Sequence, residues 1–191
     1  LIKEALAAGQ LTPEFFLTQA TVCLRQDITQ IDLSKQTYTG DRILPFRDFI
    51  VRYYSSSTVL IHGALPNAPG SFATMWVKLG FQPSSVALPL WVNAGEGMPE
   101  IITAPGTQNA RLCDLTLYLK KSCFPLDAWV EGENYVLLNK LVNNENTGLI
   151  QQTTAFDRET LKRTKLLQEK WAQTGFNPDE AADFYSELNR D

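Results

Sequence analysis

His62 is the only histidine in the chain, so neither a two-histidine metal site nor a relay between two imidazoles can be built. It ends a short apolar run just before Gly63, where a strand terminus can carry an imidazole into an active site. A hydrogen-bonded structural histidine is the competing reading. Ser55, Ser56 and Ser57 lead into the same run without the Gly-x-Ser-x-Gly frame of a nucleophile elbow, so turn or strand-leading serines are the simpler reading. Arg42, Arg47 and Arg52 recur every five residues, which matches neither one helix face nor one strand face. A guanidinium fork suits a carboxylate, so these arginines are candidates for an anionic substrate group or for ordinary surface ion pairs. Asp41 with Asp48, and Glu96 with Glu100, are the acidic pairs that folding could bring together. Cys23, Cys113 and Cys123 lack CxxC or metal-ligand spacing. Cys23 lies in an apolar helical context that suits a buried thiol, while Cys113 and Cys123 lie on segments that could pair. There is no phosphate-binding glycine loop and no HExxH, so the sequence implies neither a metal nor a cofactor.

The elements that must position these residues centre on 55–94. Val59-Leu60-Ile61 is a short apolar run closed by Gly63; Phe72 to Leu79 alternates around Ala73, Met75, Val77 and Leu79; Val86, Leu88, Leu90 and Val92 form one face of a third segment. Period-two patterning between Gly, Pro, Asn and Ser predicts three half-buried antiparallel strands, the first two joined by a turn at Pro66-Asn67-Ala68-Pro69-Gly70. Trp76 and Trp91 fall on those strands, where packing is the simpler role.

Helices flank this core. Leu1 to Ala8 reads as helix, and Thr12-Pro13-Glu14 as a helix start running to about Gln30 over Phe15, Phe16, Val22 and Cys23. Residues 32–40 read as a loop or short strand, 95–108 as a long loop, 110–122 as helix, and 135–142 as either strand or helix. From Asp157 a helix carries Leu161, Leu167 and Trp171 on one side until Gly175 stops it. Asn177-Pro178 opens a last helix with Ala181, Phe184, Tyr185 and Leu188 as its buried stripe. The predicted class is therefore α+β or α/β, with an antiparallel sheet core and flanking helices, over one domain spanning 1–191.

At 191 residues with a net charge of −4, the chain is long enough for a sizeable core and offers no basic footprint for nucleic acid. Its longest nearly uncharged apolar run, 86–92, is far below the roughly 20 residues that span a bilayer. The chain begins Leu-Ile-Lys rather than with Met, which predicts a fragment of a longer polypeptide.

Ala73-Thr74-Met75-Trp76-Val77-Lys78-Leu79-Gly80, Pro83, and Ser85-Val86-Ala87-Leu88-Pro89-Leu90-Trp91 resemble the acyltransferase-like group of N-terminal-nucleophile (Ntn) hydrolases. That group includes the acyl-coenzyme A:6-aminopenicillanate acyltransferases and is akin to the choloylglycine hydrolases and cysteine dipeptidases. The serine-rich approach to a strand ending at His62-Gly63 is similar as well. The likeness spans about forty residues around 55–94, and its motifs are structural.

It implies a four-layer αββα sandwich and cleavage or transfer at a linear C–N amide of a small molecule or short peptide. The nucleophile would be a cysteine exposed by self-cleavage, with its own α-amine as base, which needs no histidine and no cofactor. Residue 1 is Leu, and none of the three cysteines stands at a plausible mature N-terminus, so the nucleophile is expected on an upstream half that partners this chain. Gly80-Phe81-Gln82-Pro83 is also more widely spaced than the group's Gly-x-Pro turn. Substrate-contacting candidates are Ser56, Ser57 and His62, then Arg47 and Arg52. The alternative is a non-catalytic Ntn-like binding or scaffold domain. Periplasmic or secreted relatives suggest export, with the compartment otherwise open.

Overall fold

The structure is a computed structural model and describes all residues except 27, 36–39, 65–68, 96, 129 and 191. The first helix, α1, covers Ile2–Ala7. Thr12 caps α2 (Pro13–Phe15), accepting a hydrogen bond from the Phe15 amide at 3.2 Å, with Pro13 at the first helical position. The expected long helix does not form. The chain widens into a π-turn over Phe16–Ala20, and Arg25–Gln26 (β1) pairs antiparallel with Ile31–Asp32 (β2). Thr18 and Thr21 bond back to the carbonyls of Glu14 and Leu17, a local competition that weakens helix continuation.

Ile43–Pro45 (β3) pairs with the distant Tyr135–Leu137 (β7), and Phe46, Phe49, Phe81, Phe124, Val136 and Leu138 share one aromatic-aliphatic core behind them. The main sheet comprises Ser57–His62 (β4), Thr74–Leu79 (β5) and Leu88–Trp91 (β6), antiparallel in the order β4-β5-β6. All three expected strands are present, although Val92 leaves the third and is exposed. Residues 66–68 of the expected turn lie outside the described residues, as does Glu96.

Register decides which side chains meet the helices. Thr58, Leu60 and His62 stand opposite Lys78, Trp76 and Thr74, so these six share one face of the sheet. Val59 and Ile61 share the other face with Val77 and Met75. The segment 110–122 forms α3 (Arg111–Lys121), and 135–142 divides into β7 and a short α4 (Leu138–Leu141). The helix expected from Asp157 starts earlier, as α5 (Leu149–Thr174), because Gln151 reaches back to the Gly148 amide at 3.1 Å. Gly175, at φ +85°, ends it. Asn177 then caps α6 (Pro178–Leu188), whose buried residues are Ala181, Phe184, Tyr185 and Leu188 as expected. The class is thus mixed α+β, with antiparallel sheets and flanking helices.

No described helix is long and apolar enough to cross a membrane.

Candidate functional site

The central strand β5 alternates, and its residues Thr74, Trp76 and Lys78 point to α5. A strand that buries a lysine needs an anion from its neighbours, and α5 supplies it. Lys78 Nζ lies 2.6 Å from Asp157 Oδ2, at 1% and 0% exposure. Asp157 Oδ1 accepts the Ala87 amide at 2.7 Å, so one carboxylate ties β5 and the approach to β6 to α5. Burial pushes the Asp157 carboxyl above the usual carboxylate range, while the Lys78 ammonium and the Ala87 amide pull it back.

A second anchor lies at the other end of β5. Thr74 Oγ1 donates to the Phe72 carbonyl and accepts from Trp91 Nε1 at 3.0 Å and Gln168 Nε2 at 2.9 Å. That uses its one proton and both lone pairs. Asp157 and Gln168 therefore pin α5 antiparallel to β5 at both ends. A one-turn slide of about 5.4 Å would strand the carboxylate, so the register is fixed.

Between these anchors, the start of α2, the end of β4 and α5 enclose a groove of about 460 Å³. Trp76, Leu161 and Thr164 lie along it, with His62 at one side. Arg158, Lys162, Lys165 and Gln168 follow one another along α5 at helical spacing. Trp76 Nε1 and Thr164 Oγ1 are buried and have no hydrogen-bond partner among the described residues. His62 is half-buried and has no side-chain hydrogen bond to any described residue, so it is not the hydrogen-bonded structural histidine that the sequence made the competing reading.

The sequence-derived candidates do not converge. Ser57 and His62 occupy opposite ends of β4, about 16 Å apart at the strand rise, and point to opposite faces. Ser56 and Ser57 are exposed; their carbonyls accept from the Gly80 amide and Gln82 Nε2, which docks the start of β4 on the turn after β5. Arg52 lies beside them, its amide donating to Ser55 Oγ at 3.1 Å, and its side chain is exposed, as is that of Arg47.

Asp41 is exposed and held by Asn139, Asp48 is exposed, and Glu100 lies in a short turn with its proposed partner outside the described residues. Cys23, Cys113 and Cys123 are all free, so the pairing that the sequence allowed for Cys113 and Cys123 is not made. No cluster of three or more His, Cys, Asp or Glu suited to a metal occurs among the described residues.

Sequence reasoning missed Lys78 and Asp157. The alternation read around Ala73, Met75, Val77 and Leu79 placed Lys78 outward, whereas Thr74, Trp76 and Lys78 are buried and Met75 is exposed, because α5 covers their face of β5. Neither the family models, nor the curated proteins, nor the solved structures contain a match to this chain.

Proposed function

We propose that this chain is the C-terminal portion of an Ntn-type cysteine amide hydrolase or acyltransferase, acting on a linear C–N amide of a small molecule or short peptide. The observation that supports this is the exposed apolar edge of the main sheet. One face of β4-β5-β6 lies against α5; on the other, Val77, Leu88 and Leu90 are buried in a core shared with Leu112 of α3 and Phe184 of α6, and only along β4 do Val59 and Ile61 stay 56% and 76% exposed beside Met75. This exposed apolar strip follows β4, which has no outer partner strand among the described residues, and it is where further strands of a four-layer αββα sandwich would join.

In this reading the nucleophile is a cysteine on the upstream half, its α-amine is the base, and amide donors hold the tetrahedral oxyanion. Ser57 shares the exposed strip with Val59 and Ile61, so Ser56 and Ser57, with Arg52 behind them, are this chain's contribution beside the substrate. His62 points to the opposite face, away from that cleft.

Expressing the whole gene and determining intact masses and N-terminal sequences tests the proposal. A second chain beginning with Cys, whose alkylation stops hydrolysis of acyl-amino acids, is the expected result. A single uncleaved chain without such a Cys would transfer the assignment to a non-catalytic Ntn-like binding or scaffold domain. Ser57→Ala with unchanged turnover would remove Ser57 from the substrate cleft.

A further inference from the structure

The groove over Trp76 lies on the α5 face of the sheet, apart from the exposed strip invoked above. Its walls carry Arg158, Lys162 and Lys165 against Glu14 alone, an excess of positive charge on a chain whose formal net charge is −4. Arg158 is engaged by Glu14 at 3.4 Å. Lys162 and Lys165 have only solvent-exposed partners one turn away, Glu159 at 4.0 Å and Glu169 at 3.8 Å. Such pairs are screened and worth little, which leaves both ammonium groups free to take another acceptor.

The floor adds two donors and an apolar bed. Trp76 and Thr164 are each 2% exposed, and Trp76 Nε1 and Thr164 Oγ1 are unpartnered. A buried polar group left unpaired costs about 1–3 kcal/mol, which marks this floor as a place the fold alone does not explain. As the groove stands both atoms are closed to solvent. Trp76, Leu161 and Pro13 supply hydrocarbon and aromatic surface, and about 460 Å³ falls within the range of small-molecule sites. His62, with no side-chain partner, faces the same space.

We infer that this groove binds a medium-chain organic carboxylate. Its chain lies on Trp76 and Leu161, and its carboxylate lies among Lys162, Lys165 and His62. A multiply charged phosphate is disfavoured, because the groove interior is mostly apolar. The inference stands whether or not the chain belongs to an amide hydrolase.

His62 makes the test direct, because a lone histidine gives one imidazole Cε1–H resonance in the full chain. Sodium octanoate should displace that resonance saturably. Octanamide, of equal length and no charge, should bind at least about tenfold more weakly, the loss of one charge-assisted hydrogen bond. The surface variant Lys162→Glu/Lys165→Glu should weaken octanoate about tenfold with unchanged thermal unfolding. No saturable displacement, equal response to octanamide, or indifference to the charge reversal would each overturn the inference.

Discussion

Lys78 of the central strand and Asp157 of the longest helix meet as a fully buried ion pair, 2.6 Å between Nζ and Oδ2. The pair is costly to desolvate and far costlier to halve, since one partner left alone is a buried charge. Lys78→Met or Asp157→Leu should therefore each lose about 3–5 kcal/mol, read as a lower urea midpoint at unchanged m. The double variant Lys78→Met/Asp157→Leu should recover most of that loss. Single variants within about 1 kcal/mol of the parent would show that the pair does not hold α5 on the sheet.

A second relationship joins the turn after β5 to α3. Gly80 adopts φ +78°, and a Cβ there would lie 1.8 Å from Thr116 Oγ1. Thr116 cannot easily yield, because its hydroxyl bonds the carbonyls of Leu79 and Cys113. Gly80→Ala should cost more than about 2 kcal/mol, from left-handed strain of about 1–2 kcal/mol plus the clash. Adding Thr116→Ala should restore only the clash portion. A fully restored midpoint would mean that the backbone conformation there is unstrained.

The legible parts of the fold were those in which local pattern and tertiary demand agree. Asn177-Pro178 followed by Ala181, Phe184, Tyr185 and Leu188 could be read as a capped amphipathic helix because its cap and stripe are both local. The three strands were readable from alternation and their bounding turns. The segment 13–30 was not, because its apolar spacing mimics a helix while Thr18 and Thr21 divert hydrogen bonds and β1 pairs with β2. The inner face of α5 was hidden for a different reason. Thr153, Asp157, Thr160 and Thr164 are buried but polar, so hydropathy assigns them outward, and the amide that Asp157 accepts is 70 residues away in sequence. His62 and the serines were visible as residue types, yet only register shows that Ser57 and His62 face apart.

Tyr185 links stability to alkaline pH. Its hydroxyl accepts the Trp91 amide at 3.0 Å and its ring stacks on Trp91, and burial pushes the phenol from 10 up to about 12. The folded state holds this proton more tightly than the unfolded chain. The corresponding stability is complete below pH 10 and is lost as pH rises through 10 towards about 12. Tyr185→Phe should lower the midpoint at pH 8 by about 1–3 kcal/mol, because the Trp91 amide loses its acceptor. The same variant should show a shallower fall between pH 10 and 11.5 in thermal melts. An alkaline limb as steep as the parent's would place the titration elsewhere.

Thiol chemistry follows from where α3 puts its cysteines. Cys113 lies in the first turn and is half-buried, and Cys123 is buried beyond the last turn. Ten residues at about 1.5 Å per residue separate their Cα atoms by about 15 Å, beyond the roughly 7 Å limit for a disulfide. Burial pushes the Cys123 thiol from 9 up to about 11, so at pH 8 almost none of it is the reactive thiolate. Iodoacetamide should therefore modify Cys113 first in the native protein and reach Cys123 only in urea, as read by peptide mass. A Cys113–Cys123 linked peptide from the non-reduced native protein would require α3 to unwind and would contradict this arrangement. Rapid native labelling of Cys123 would show instead that the core around Phe81 and Phe124 opens readily, which the burial of both rings argues against.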